Sequence, residues 1–177
     1  MSSISYIEAG LIKGGQPIAS LVTAHLEEAR LTNAKLTGVN LSDTYLQKAD
    51  FYWADLDHSN LYHSDLHDAN LLSAGLRDAN LSDTDLSGAD FTEVLDLGPA
   101  VLREADLSGA DLSETKFSGV DLTEADLSEA IGWTEKQLSA AKTLEGATMP
   151  DGQHLKSKDN PAGPTFEEWL KSREEDG

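Results

Sequence analysis

From Leu26 to Phe91 a large apolar side chain returns at every fifth position: Leu31, Leu36, Leu41, Leu46, Phe51, Leu56 and onward through Leu86. Two residues before each stands a small one, such as Ala24, Ala29, Ala34, Ala49, Ser59 or Ala69. The position directly before the large residue is often Asp or Asn, as at Asp50, Asp55, Asn60 and Asn70. A period of five suits neither regular element. On an α-helix, at about 100° per residue, every fifth residue drifts by about 140° and no stripe forms. On a flat strand successive leucines would face opposite sides. A chain that turns a corner once per five residues does fit. The large residue and the small one then point inward, the other three point outward, and the corners stack by backbone hydrogen bonds about 4.8 Å apart.

After Phe91 the register slips by one. The stretch "TEVLDLGPA" carries six residues to the next centre, Leu97, and the count of five resumes through Leu102, Leu107, Leu112, Phe117, Leu122 and Leu127. Roughly 21 units run in tandem between Leu26 and Leu127. This "A(D/N)Lxx" pattern resembles the pentapeptide-repeat family over residues 21–130. The resemblance implies an all-β solenoid, a right-handed quadrilateral parallel β-helix with four units per coil. The run then makes about five coils and a rod of about 25 Å plus its ends. The six-residue unit at Leu95 to Pro99 is expected to form a bulge or small outward loop, since Pro99 cannot donate to the ladder. No unit buries much alone, so stability is expected from stacking.

Open ends of such a stack are sheet edges that proteins normally cover. Residues 1–20, off-register and apolar, are expected to cap the first coil. Residues 131–177 read as a helical extension. In "GWTEKQLSAAKTL", Thr134 is the expected N-cap with Gln137 completing a capping box, and Leu138, Ala141 and Leu144 form the apolar stripe. In "GPTFEEWLKSREE", Thr165 and Glu168 play the same capping parts, and Phe166, Trp169 and Leu170 make the apolar face. "HLKSKDNPAGP" between them reads as a linker. This tail is similar to the C-terminal extension of bacterial family members, cyanobacterial ones in particular. Its helices either fold back as a cap or join two copies in a homodimer.

Charge narrows the partners. The 177-residue chain carries 32 Asp and Glu against 13 Lys and Arg, a net charge of -19. That argues against direct contact with nucleic acid or an anionic membrane and favours a basic partner. The lack of cysteine excludes disulfides, zinc-thiolate sites and thiol nucleophiles. "MSSISYIEAGLIKGG" has neither a basic n-region nor a continuous apolar h-region, so no signal peptide is expected and the protein is expected in the cytoplasm. No apolar run approaches the length of a membrane span.

Three candidate sites remain. In "DHSNLYHSDLHDANL", His63 and His67 have the i, i+4 spacing of a helical metal pair. In a period of five, however, His58, His63 and His67 occupy outward slots on three successive sides. Zinc needs ligands converging at about 2.0–2.1 Å, so no metal site is expected. The second candidate is a carboxylate stripe, Asp65, Asp85, Asp106 and Asp126, on the side that holds Leu26, Leu46 and Leu66. Its plain reading is turn-bonding and solubility. The family resemblance adds another: members associated with quinolone resistance are dimeric acidic rods that occupy the DNA-binding cleft of DNA gyrase. The third candidate is an exposed aromatic patch of Tyr52 and Trp53 with Leu72 one coil later. It is expected to meet a protein partner, a second copy, or the chain's own helix through Trp169. Catalysis has no support: there is no GxSxG, no phosphate-binding Gly loop and no cleft in a filled prism, and no cofactor is expected. The reading is a non-catalytic protein-interaction or scaffold module, with an acidic DNA mimic as the alternative.

Overall fold

In the computed structural model, residues 12–13, 16–17, 21–94 and 97–175 are described. Most of the expected N-terminal cap, residues 1–20, lies outside them. What is described there is a short antiparallel pair, β1 (Ile12–Lys13) with β2 (Gln16–Pro17).

From residue 21 onward the chain repeats one local structure. The large residue opens a turn whose third residue has left-handed backbone, with φ 55° at Asp43, 56° at Trp53 and 60° at His58. This is the geometry of a type II turn. The unit Leu41 to Tyr45 shows how it is held. Leu41 N–H donates to Asn60 O of the next coil (2.7 Å), Asp43 N–H to Tyr62 O (2.9 Å), Thr44 N–H closes the turn on Leu41 O (3.3 Å), and Tyr45 N–H reaches down to Ala24 O (3.0 Å). The remaining N–H, on Ser42, is taken by the Asn40 side-chain oxygen at 3.1 Å. An Asp or Asn directly before the large residue therefore completes the hydrogen bonding of the unit. Asp50 does the same for Tyr52 N–H, Asn60 for Tyr62 and Asp106 for Ser108. Gly75 has no side chain to offer, and Asp57 from the coil below accepts from Arg77 N–H instead, at 2.9 Å.

The coils stack in parallel with four units each: His25 bridges Tyr45, Tyr45 bridges Asp65, and Asn40 bridges Asn60. Each unit contributes a single bridged residue rather than a strand, because the turn consumes the rest. Four apolar columns fill the interior. Leu46, Leu66, Leu86, Leu107 and Leu127 form one of them, all with no measurable exposure, and the small residues between columns are buried as well. At about 1.5–3 kcal/mol per buried Leu or Phe, these columns are the main favourable contribution to folding.

The register slip is absorbed locally. Asn80 pairs with Val101 and Asp85 with Asp106, one residue further on than in the coils below. Val94 and Leu97, on either side of the extra residue, are both fully buried. Of the expected bulge at Leu95 to Pro99, residues 95–96 lie outside the described residues; Leu97 opens a turn closed by Ala100 N–H on Leu97 O (3.0 Å), with φ 49° at Gly98 and Pro99 exposed.

The stack runs past residue 130. Asp121 bridges Thr143 and Asp126 bridges Thr148, so Leu144 and Met149 take the inward places above Leu122 and Leu127. Leu144 thus belongs to a coil, not to the expected helical stripe. The helix there, α1 (Glu135–Ser139), is a short insertion within that coil. Thr134 caps it, accepting from Gln137 N–H at 3.2 Å. Gln137 departs from the expected reciprocal box: its amide donates to Leu112 O (2.9 Å) and Thr115 O (3.0 Å). Thr115 O stands where lower coils accept a ladder N–H, as Ala54 O accepts from Gly75, so the side chain replaces the missing rung.

The expected linker also has structure. It turns back and His154 bridges Thr148 in the antiparallel sense, which ends the parallel stack. Leu155 is buried beneath it. Helix α2 (Phe166–Glu175) follows, opened by a full capping box in which Glu168 accepts from Thr165 N–H (2.8 Å) and donates its own N–H to the Thr165 hydroxyl (3.2 Å).

Candidate interaction surfaces

A prism filled by four apolar columns leaves recognition to its outer faces and ends. Residues Asp65, Asp85, Asp106 and Asp126 form one vertical column, each bridged to the next. The repeat of the ladder sets the carboxylates about 4.8 Å apart. Each also holds a turn, accepting from the N–H of His67, Ser87, Ser108 and Ser128 in order. Below them the column continues as a stacked pair, His25 on Tyr45, with ring centroids 4.6 Å apart. The adjoining face bears a second column at the left-handed turn position, Asp43, His63, Asp83, Glu104 and Glu124, acidic but for His63. Tyr62 on that face donates toward Asp83, and this neighbouring carboxylate holds its phenol above the usual range.

The three histidines sit on three faces and meet different neighbours. His58 lies 3.5 Å from Asp78, His63 lies 2.9 Å from Asp43, and His67 is bonded to Ser87 at 2.8 Å. All these contacts run between coils on the histidine's own face, so the three rings do not converge.

Tyr52 and Trp53 project from the side that holds Leu31, Phe51 and Leu71. They are 40% and 56% exposed and meet edge to face with centroids 6.3 Å apart. Leu72 sits one coil above, half-buried, and its carbonyl takes Trp53 N–H at 3.1 Å. The other outward positions nearby are polar: Thr32, Asn33, Ser73, Thr92 and Glu93.

Trp169 does not join this patch. It is 1% exposed and packs between Trp133 and Phe166, each with ring centroids 5.7 Å away, at the C-terminal end of the rod. The helix buries its apolar face on its own solenoid, so Trp169 is no surface contact. Asp151 fastens the arrangement, accepting from Trp169 Nε1 (2.9 Å) and Arg173 (3.1 Å). The Arg173 guanidinium in turn lies 5.3 Å from the Trp133 ring and 5.1 Å from that of Trp169. Burial alone would raise the Asp151 pKa, but hydrogen bonds from Gln153 N–H, Trp169 and Arg173 outweigh it and hold the carboxyl below its ordinary value. Asp121, buried against Arg103 and Thr123, shows the same balance with the same net direction. Sequence reading missed both clusters, since Arg103 lies 18 residues from Asp121, and Trp169 and Arg173 lie 18 and 22 from Asp151.

Comparison with known proteins agrees with the repeat. A family model described as pentapeptide repeats matches residues 24–61, 56–93 and 99–131. Among solved structures, HetL of the cyanobacterium Nostoc sp. strain PCC 7120, a pentapeptide repeat protein involved in heterocyst differentiation regulation, is similar at 35% identity and TM-score 0.60. That match covers 76% of this chain and 61% of HetL. A pentapeptide repeat protein of the Arabidopsis thaliana thylakoid lumen matches at 23% identity and TM-score 0.40, over 80% of this chain and 92% of its own. QnrB1, a plasmid-mediated fluoroquinolone resistance protein, matches at 20% identity and TM-score 0.35, over 72% of this chain and 61% of its own. No curated protein matches the chain in sequence.

Proposed function

The chain belongs to the pentapeptide-repeat family, and on that premise we propose that it is a non-catalytic, cytoplasmic protein-interaction module that recognises its partner with the outside of a right-handed quadrilateral rod. The observation that carries this reading is the exposed Tyr52–Trp53 pair beside Leu72, set in a polar face. Tryptophan and tyrosine are the residues most enriched among interface hot spots. HetL's involvement in differentiation regulation is in keeping with a binding role of this kind. The fold-back packing of Trp169 favours a capped end over a homodimer joined through α2. Photo-crosslinking from a benzophenone residue at position 53 in extract of the native organism tests the reading. A discrete adduct that is absent with the probe at Asp78, on the neighbouring face, supports it; no adduct at either position removes it.

A second reading has its own observation. The continuous column of Asp65, Asp85, Asp106 and Asp126 offers a basic cleft a row of regularly spaced anions, as a duplex does. Under this reading the protein is an acidic DNA mimic that binds DNA gyrase or another topoisomerase. A supercoiling assay with gyrase, with and without a fluoroquinolone, checks it. Unchanged supercoiling and unchanged drug sensitivity at micromolar protein eliminate it.

A further inference from the structure

We infer that the Leu31 side docks a basic segment of a partner protein, seating an arginine or lysine of that segment over the Trp53 indole. The inference rests on the protein-interaction reading and supplies the partner's chemistry.

Trp53 is more than half exposed, and its ring neighbour among the described residues is the edge of Tyr52. It occupies the left-handed slot of its turn, φ 56°, which other units fill with Asp, Glu, His, Lys, Ser or Gly at a like φ. The repeat imposes that backbone on whatever residue fills the slot, so nothing in the turn calls for an indole, and a half-exposed indole set among polar residues points to a use outside the fold.

The rim supplies charge. Asp50 and Asp55 flank the pair along the chain, and Asp50 accepts from Tyr52 N–H at 3.1 Å. From above, Glu93 reaches down to the Ser73 hydroxyl at 3.3 Å, and Ser73 directly follows Leu72 in the coil stacked on Trp53. Arg30 and Lys35 lie one coil lower, bridged beneath Asp50 and Asp55. The upper rim is thus the anionic one.

The molecule itself shows what fills such an arrangement. At the C-terminal cap an indole and a carboxylate, Trp169 and Asp151, hold the Arg173 guanidinium between them. On the Leu31 side the indole and carboxylates are in place, and the guanidinium or ammonium must come from another molecule. A cation over an indole face beside a carboxylate is attracted by both. The net charge of -19 opposes a second copy, a nucleic acid or an anionic membrane on this face.

The test uses the full chain and a short peptide of alternating arginine and glycine, with its glutamate counterpart as control. Binding is followed by the indole N–H signals in two-dimensional NMR, which separate Trp53 from Trp133 and Trp169. The arginine peptide is expected to shift the Trp53 signal, and the glutamate peptide to leave it. Trp53→Asn is expected to weaken arginine-peptide binding by about tenfold, with an unchanged or raised melting temperature. Glu93→Gln with Asp55→Asn is expected to weaken it several-fold. Equal binding to Trp53→Asn, a Trp53 signal that stays still, or equal binding of the glutamate peptide overturns the inference. So does self-association by light scattering that Trp53→Asn abolishes, since a second copy then covers the face. The two readings fail separately. A position-53 adduct whose formation is indifferent to salt and to the Glu93/Asp55 double variant removes the basic partner and leaves the interaction reading standing.

Discussion

Replacing Leu66 by alanine tests the stack at its centre. Leu66 is fully buried, with Leu46 below it and Leu86 above in the same column. Truncation removes the transfer energy of the lost methyl groups and leaves a cavity that a regular hydrogen-bonded coil cannot close, because neighbouring coils are pinned at ladder spacing. A loss of about 2–5 kcal/mol is expected for such a site. Leu26 belongs to the same column in the first described coil, where it is only partly buried and has Leu46 on one side. Because Leu26 is only partly buried and has, among the described residues, one column neighbour, Leu26→Ala is expected to cost about half as much or less. The assay is urea unfolding followed by far-UV circular dichroism and by tryptophan emission, comparing midpoints and slopes. A solenoid couples only nearest neighbours, so the Leu66 variant is also expected to broaden the transition. Agreement of the two variants within about 0.5 kcal/mol would refute the column argument, because neither burial nor position in the stack would then set the loss.

Further outcomes follow from single contacts. Asn60 accepts from Tyr62 N–H, donates to Asn40 and accepts from Asn80; Asn60→Leu should cost about 1–3 kcal/mol for the stranded partners, and Asn60→Asp less, since the turn acceptor survives, as thermal melts would show. Gly132 has φ 70°, and a Cβ there would lie 2.1 Å from Ser113 Oγ and 2.7 Å from Asp111 Oδ1; Gly132→Ala should disturb the entry to α1 and lower the melting temperature. The lowered pKa of Asp151 means that its contribution is present above the ordinary aspartate range, about pH 3.9, and is lost as pH falls through its lower folded value. Near-UV circular dichroism of Trp133 and Trp169 should therefore stay constant from neutral pH down to about 4 and change only below it. A change centred near pH 6 would contradict the assignment. Asp151→Asn should alter the same signal at neutral pH, since it removes the charge that holds Arg173.

The period of five alone determined the corner geometry, the inward columns and the separate faces of the histidines. It could do so because one short unit repeats and each copy obeys the same backbone accounting: five N–H groups, four taken by backbone and one by the Asp or Asn before the leucine. His58, His63 and His67 were separable for the same reason, since slot and side follow from counting. Where the repeat stops, counting stops. In "KTLEGATM" Leu144 and Met149 keep the spacing of five, with Ala147 two before Met149, but the insertion of α1 breaks the count from Leu127 and hides that they rejoin the columns above Leu122 and Leu127. Trp169 read as a sticky residue, and only the folded chain shows that Trp133, Asp151 and Arg173 gather around it. Repeated local hydrogen bonding can be read from sequence because every copy states it again. A contact made once, between segments brought together by the last turn of the coil, is stated only by the tertiary structure.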